Sequence, residues 1–96
     1  MLQFVIIAHD GTDEEALDRR MAARPLHFEG AGKLKEAGNF ILGGAMLDEE
    51  RRMNGSIMIL QFETEDEMKN WFDNEPYVTG KVWQQIEIKP FKVADV

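Results

Sequence analysis

Cysteine is absent from the 96 residues. That excludes disulfides, thiolate catalysis and cysteine-based metal sites, and removes any need for an oxidising compartment. Histidine and tyrosine are scarce, at two and one. No metal-spaced histidine pair, glycine-rich phosphate loop or nucleophile elbow occurs, so no metal or organic cofactor is expected. No apolar run approaches the roughly 20 residues that span a bilayer. Met1 to Ala8 is apolar but too short for a signal peptide and lacks a basic lead segment. Positive charge is also in deficit. Eighteen acidic against eleven basic side chains give a net charge of −7, which repels phosphate backbones and anionic membrane surfaces alike. Neither nucleic acid nor membrane is an expected partner, and a cytoplasmic location is the default.

With 44% hydrophobic and 30% charged residues, the chain reads as one globular domain spanning residues 1–96. Leu2 to Ala8 is a short β-branched run, read as a buried strand. Asp10-Gly11-Thr12 is a turn signal. A helical stretch from about Asp13 to Ala37 follows, with Pro25 expected to divide or kink it and Gly38 to cap it. Asn39 to Ala45 and Ser56 to Phe62 read as strands, with Asn54-Gly55 as the turn signal between them. Thr64 and Glu67 match a capping box opening a helix that runs to about Asn74, where Pro76 stops it. Val82 to Ile88 reads as the last strand, closed by Pro90. The order β-α-β-β-α-β predicts a ferredoxin-like α+β fold with both helical regions on one face of a four-stranded sheet. A second copy of so small a chain is the simplest cover for the other face, which predicts a homodimer.

Few residues can carry chemistry. His27, Ala31 and Leu34 recur at i, i+4 and i+7, so His27 falls on the inward face of its helix. Arg24, one turn earlier, reaches the same neighbourhood and could bind a substrate oxyanion or carboxylate. Met68, Trp71, Phe72 and Glu75 make a second stripe, which brings Glu75 to the same layer. A carboxylate meeting a buried imidazole orients it and supports its charged form, as general acid–base work requires. Tyr77 follows Pro76 and could line the same pocket. Spacing alone leaves the plainer readings open: His27 as a packed core residue, Glu75 as a solvated loop residue, Tyr77 as packing. His9, beside a turn, reads more as surface chemistry than as a site.

These residues sit in an ordered set: a first strand ending at Asp10, then Arg24-Pro25-Leu26-His27, Gly43-Gly44, Gly55-Ser56, Pro76-Tyr77-Val78 with Gly80, and Lys89-Pro90-Phe91. The set resembles the YciI-like (YCII-related) family over almost the whole chain. The resemblance implies a ferredoxin-like fold in a dimeric α+β barrel, similar to that of muconolactone isomerases. It also implies a histidine–aspartate active-site pair, and one member type is a dehydrochlorinase of a chlorinated hydroxyhydroquinone. The family histidine falls on His27. The family aspartate falls on Glu75, one methylene longer, with Asp73 as the fallback. The expectation is a cofactor-independent lyase or isomerase acting on a small molecule, with His27 and Glu75 catalytic and Arg24 and Tyr77 binding substrate. The alternative is a non-catalytic ligand-binding or assembly module. A polar cavity beside His27 favours the enzyme, and dry packing around it favours the module.

Overall fold

The computed structural model describes residues 1–96. Its elements are β1 (Leu2–Asp10), α1 (Ala16–Glu36), β2 (Phe40–Leu47), β3 (Met53–Phe62), α2 (Glu65–Asp73), α3 (Pro76–Thr79) and β4 (Trp83–Phe91). Every pairing is antiparallel and the strand order is β2-β3-β1-β4, the ferredoxin-like α+β arrangement expected from the element order. Alternation along β1 turns Phe4, Ile6, Ala8 and Asp10 to the buried face. Across from them Leu60 and Met58 of β3 lie opposite Phe4 and Ile6. Leu34 of α1, Met68 of α2 and Tyr77 of α3 close this core from the helical side.

The opposite sheet face has no cover. Val5 and Ile7 pair with Ile59 and Ile57 of β3, and Leu42 of β2 lies beside Ile59. Leu42 is 62% exposed and Ile57 39%. No helix is long and apolar enough to cross a membrane.

Several local expectations are corrected. Pro25 neither divides α1 nor ends it; the helix runs unbroken for 21 residues. Buried Arg20, His27 and Leu34 recur every seventh residue on both sides of the proline, and this continuous buried stripe outweighs one missing backbone donor. Asn54-Gly55 is not a turn but lies within β3, and the hairpin turn is Asp48 to Arg52 instead. There Asp48 accepts from the Glu50 and Arg52 amides, and Arg51 takes φ 67°. Gly55 is required by proximity, because a Cβ there would come within 2.6 Å of the Ala8 carbonyl oxygen. Only half of the capping box forms: Thr64 Oγ1 accepts from the Glu67 amide. Pro90 does not close β4 but sits inside it, opposite Phe4; β4 is an edge strand and can lack a donor.

Candidate active site

Five of the seventeen buried residues are polar: Asp10, Arg20, His27, Ser56 and Glu75. Arg20, His27 and Glu75 contact Tyr77, itself 1% exposed, and Asp10 and Ser56 hold Arg20. On one side His27 stacks on Tyr77 with ring centroids 3.9 Å apart and planes 12° from parallel. On the other, the Arg20 guanidinium lies 4.8 Å from the Tyr77 centroid, a cation–π distance. Trp83 meets both rings edge-on, at 6.0 Å from His27 and 5.6 Å from Tyr77.

The structure brings His27 and Glu75 together. His27 Nδ1 and Glu75 Oε1 are 2.6 Å apart, and both side chains are at least nine-tenths buried. Glu75 reaches this position by a route other than the expected stripe. It lies beyond α2 and is the N-cap of α3, where the same Oε1 accepts from the Tyr77 amide at 2.9 Å. Pro76 at the first position of α3 thus turns the chain so that the carboxylate points inward rather than into a solvated loop. Asp73, the fallback, is exposed. An oxygen accepting from one amide can accept from a second donor, so the geometry puts the imidazole proton on Nδ1. In the neutral ring the lone pair then resides on Nε2, and the ring's one hydrogen bond within the chain is the one at Nδ1.

The second buried pair was not anticipated. Arg20 Nη1 donates to both Asp10 carboxylate oxygens at 3.0 Å, and Nη2 donates to Ser56 Oγ at 2.9 Å. Trp83 Nε1 also donates to Ser56 Oγ, at 3.1 Å. Burial pushes the Asp10 carboxyl above its ordinary range, and Arg20 only partly opposes this. Two signals pointed here. Arg20 lies seven residues before His27 and so shares its helical face, provided α1 is read as continuous through Pro25. Asp10 continues the alternate positions Phe4, Ile6 and Ala8.

Beside this cluster, between α1 and the strands β2 and β3, is a pocket of about 370 Å³, at the small end of ligand-sized cavities. His27, Arg20, Arg24, Ser56 and Tyr77 contribute its polar wall, and Phe28, Phe40 and Met58 its apolar wall. Gly43 and Gly44 of β2 line it with bare backbone; a Cβ on Gly43 would meet the Phe40 ring at 3.0 Å. Arg24 is half-buried, lies 4.3 Å from the Phe28 ring centroid and has no carboxylate partner. Tyr77 lines the pocket with a buried hydroxyl that makes no hydrogen bond. Burial raises its pKa above the ordinary 10.0, so the group stays an O–H.

A larger depression, about 820 Å³, lies at the end of β1. His9, exposed, belongs to it and not to the His27 pocket. Two of its carboxylates are engaged, Asp13 with Arg19 at 2.6 and 2.8 Å and Asp48 with its own hairpin amides, and Glu14 and Asp18 are exposed. The Arg19 guanidinium holds Asp13, and the hairpin amides Asp48, below the usual carboxylate range. The buried, unspent polar atoms mark the smaller pocket as the site. No group of three His, Asp or Glu side chains is placed to hold a metal ion.

Residues 2–92 match the model of the YCII-related domain. The protein YciI of Escherichia coli O6:H1 is 30% identical over 95 residues, covering 93% of this chain and 95% of the relative. Among solved structures, the 5-chloro-2-hydroxyhydroquinone dehydrochlorinase of Burkholderia phenoliruptrix AC1100, in complex with 2,5-dihydroxybenzoquinone, superposes with a TM-score of 0.81. It is 22% identical and covers 96% of this chain and 95% of its own. A dimeric ferredoxin-like protein of unknown function from Jannaschia sp. CCS1 superposes with a TM-score of 0.59 at 11% identity, covering 97% of this chain and all of its own. At these identities the two structures show a shared fold.

Proposed function

The chain belongs to the YCII-related family, and from that premise we propose that it is a small-molecule enzyme of the lyase or isomerase kind. In this reading His27 is the proton-transfer residue and Glu75 orients it. The carrying observation is the 2.6 Å contact between His27 Nδ1 and Glu75 Oε1, which leaves Nε2 free on the polar wall of a pocket. Neutral His27 takes a proton from an acidic C–H or O–H of the ligand at Nε2. The electron pair left behind moves onto a conjugated oxygen or expels a leaving group. The imidazolium, stabilised by the Glu75 carboxylate, then returns the proton to another atom or releases it to water. Arg24 and Tyr77 hold the ligand. The dehydrochlorinase complex supports the reading, since that protein shares the fold and holds a small ligand. A cavity with one polar wall beside His27, rather than dry packing around the ring, supports the enzyme over the non-catalytic module.

The test is deuterium incorporation from D₂O into a panel of small carbonyl and enol compounds, followed by proton NMR. Wild-type protein should exchange at least one of them. His27→Gln should slow that exchange by about 10²-fold or more and Glu75→Gln by a smaller factor. Exchange unchanged in His27→Gln overturns the assignment.

The apolar patch of exposed Leu42 and Ile57 and half-buried Val5, Ile7 and Ile59 supports a homodimer through the open sheet face, and the dimeric neighbour of the same fold agrees. Light scattering at micromolar concentration should give twice the chain mass, and a clean monomer overturns this part.

A further inference from the structure

The pocket beside His27 has an imbalance in its unspent hydrogen-bonding groups. Ser56 Oγ accepts from both Arg20 and Trp83. A hydroxyl has two lone pairs and one O–H, so only the Ser56 donor remains for anything in the pocket. The buried Tyr77 hydroxyl has no partner. Arg24 has five donors and no acceptor, and no carboxylate opposes it. No aspartate or glutamate lines the pocket, although the chain carries eighteen such residues and a net charge of −7. The acceptors left on the polar wall are the Tyr77 hydroxyl oxygen, which can donate as well, and His27 Nε2, which the proton transfer uses.

The charges that line the pocket point the same way. Arg20 is held by Asp10, and His27 is neutral in its proton-accepting form, with Glu75 behind it and outside the lining. Arg24 is the lining cation that no carboxylate opposes. Opposite it the wall is apolar, with Phe40, Met58 and the bare backbone of Gly43 and Gly44, where a second charge would lose its hydration without a partner.

We propose that the ligand of this pocket is a small organic monoanion, one carboxylate or enolate-type head on an apolar body, whose anionic oxygens are received by Arg24, Ser56 and Tyr77. The proposal rests on the reading that this pocket is the functional site, but not on what His27 does there. Ser56, buried beneath the polar wall, becomes a binding residue as well as a support for Arg20. The ligand takes up the unpartnered Tyr77 hydroxyl and the Ser56 O–H, and its apolar body lies against Phe40 and Met58.

Binding of three probes of one shape family tests this at constant ionic strength: benzoate, its neutral analogue benzamide, and the dianion terephthalate. Tryptophan fluorescence is the readout, since Trp83 is hydrogen-bonded to Ser56 and 6.0 Å from the His27 ring, with amide chemical-shift changes confirming the site. Benzoate should saturate below about 10 mM and bind about 10-fold or more tighter than benzamide, the size of one charge-assisted contact. Terephthalate should bind more weakly than benzoate. Arg24→Gln should remove the preference of benzoate over benzamide. Arg24 is half-buried and unpaired, so this variant should fold. Tyr77→Phe and Ser56→Ala should each weaken benzoate by about 2–10-fold. Equal binding of benzoate and benzamide, or a preference that survives Arg24→Gln, overturns the proposal. Terephthalate binding as tightly as benzoate overturns its single charge. His27→Gln should keep the benzoate preference while losing proton exchange. Exchange without an anion preference would sink the ligand class and leave the catalytic reading. An anion preference without exchange would do the reverse.

Discussion

Two buried pairs of a carboxylate and a basic side chain flank the Tyr77 ring, and they differ in what they leave unspent. In the Asp10–Arg20 pair both Arg20 terminal nitrogens are held by the chain, on Asp10 and on Ser56. In the Glu75–His27 pair one ring nitrogen is held and the other is free at the edge of a pocket. The first pair fixes geometry: it ties the end of β1 to α1 and β3 and sets a guanidinium against one face of Tyr77. The second is geometry with a valence to spare. The first pair, tied to the chain through both terminal nitrogens though Arg20 Nε has no partner, reads as support, and a buried pair with an open ring nitrogen beside a cavity reads as chemistry.

Breaking the Asp10–Arg20 pair should have the larger effect on stability. Asp10→Ala leaves Arg20 charged and buried without its partner, a situation that costs about 3–5 kcal/mol. Urea unfolding should show the loss in full, with the m-value unchanged. The double replacement Asp10→Leu with Arg20→Met sharpens the point. Apolar side chains of similar volume recover much of that loss, because a buried ion pair adds little over its own desolvation. A double variant as unstable as Asp10→Ala would mean that the pair itself is a net source of stability.

At the open pair, the effect should depend on which atom is lost. Glu75→Ala removes the cap of α3 and the partner of His27 together, at about 2–3 kcal/mol. Glu75→Gln keeps an oxygen for the Tyr77 amide and for Nδ1, and should cost about 1 kcal/mol or less in stability. Its mark should fall on proton exchange instead. If the two variants are equally unstable, the charge and not the capping oxygen holds α3.

The ring between the pairs can be titrated alone, because Tyr77 is the sole tyrosine. Its pKa in the folded protein lies above the ordinary 10.0 through burial. The folded state therefore keeps a proton that the unfolded chain loses, and the fold loses stability as pH rises past about 10, by no more than about 1.4 kcal/mol per pH unit. Absorbance near the phenolate band should show a midpoint above 10 in the native protein and near 10 in urea. A native midpoint at or below 10 would mean that the guanidiniums nearby outweigh burial. The smallest effect should be that of Tyr77→Phe, which removes a hydroxyl without a partner. Stability should change by less than about 1 kcal/mol and can rise, while the stack on His27 remains. A large loss would reveal a hydrogen bond that the hydroxyl makes in solution.

The strands, the two main helical regions and the order that gives the ferredoxin-like sheet were legible in the sequence, because apolar alternation and helical spacing are local patterns. His27 was legible in the same way, as a histidine on the stripe of Leu34. Arg20 was hidden by the assumption that Pro25 interrupts α1, which removed it from that stripe. Glu75 was identified for a reason that does not hold: it lies off the α2 stripe and points inward as the cap of α3. Asn54-Gly55 carried a turn signal, yet the glycine answers to the closeness of β1, a contact 47 residues away in the chain.

By itself the sequence determined what each segment is and which faces are apolar, and the absence of cysteine and of excess positive charge narrowed the chemistry. Only the tertiary structure decided which polar side chains are left without partners. A side chain's type gives its donors and acceptors, but whether they are spent depends on groups brought in from distant elements: Ser56 against Arg20 and Trp83, Glu75 against His27. The folded chain satisfies nearly all of these; Arg19 Nε and Arg20 Nε stay buried without partners, and the Tyr77 hydroxyl and His27 Nε2 stay open beside one pocket, where a ligand can make the hydrogen bonds that burial makes costly to leave unmade.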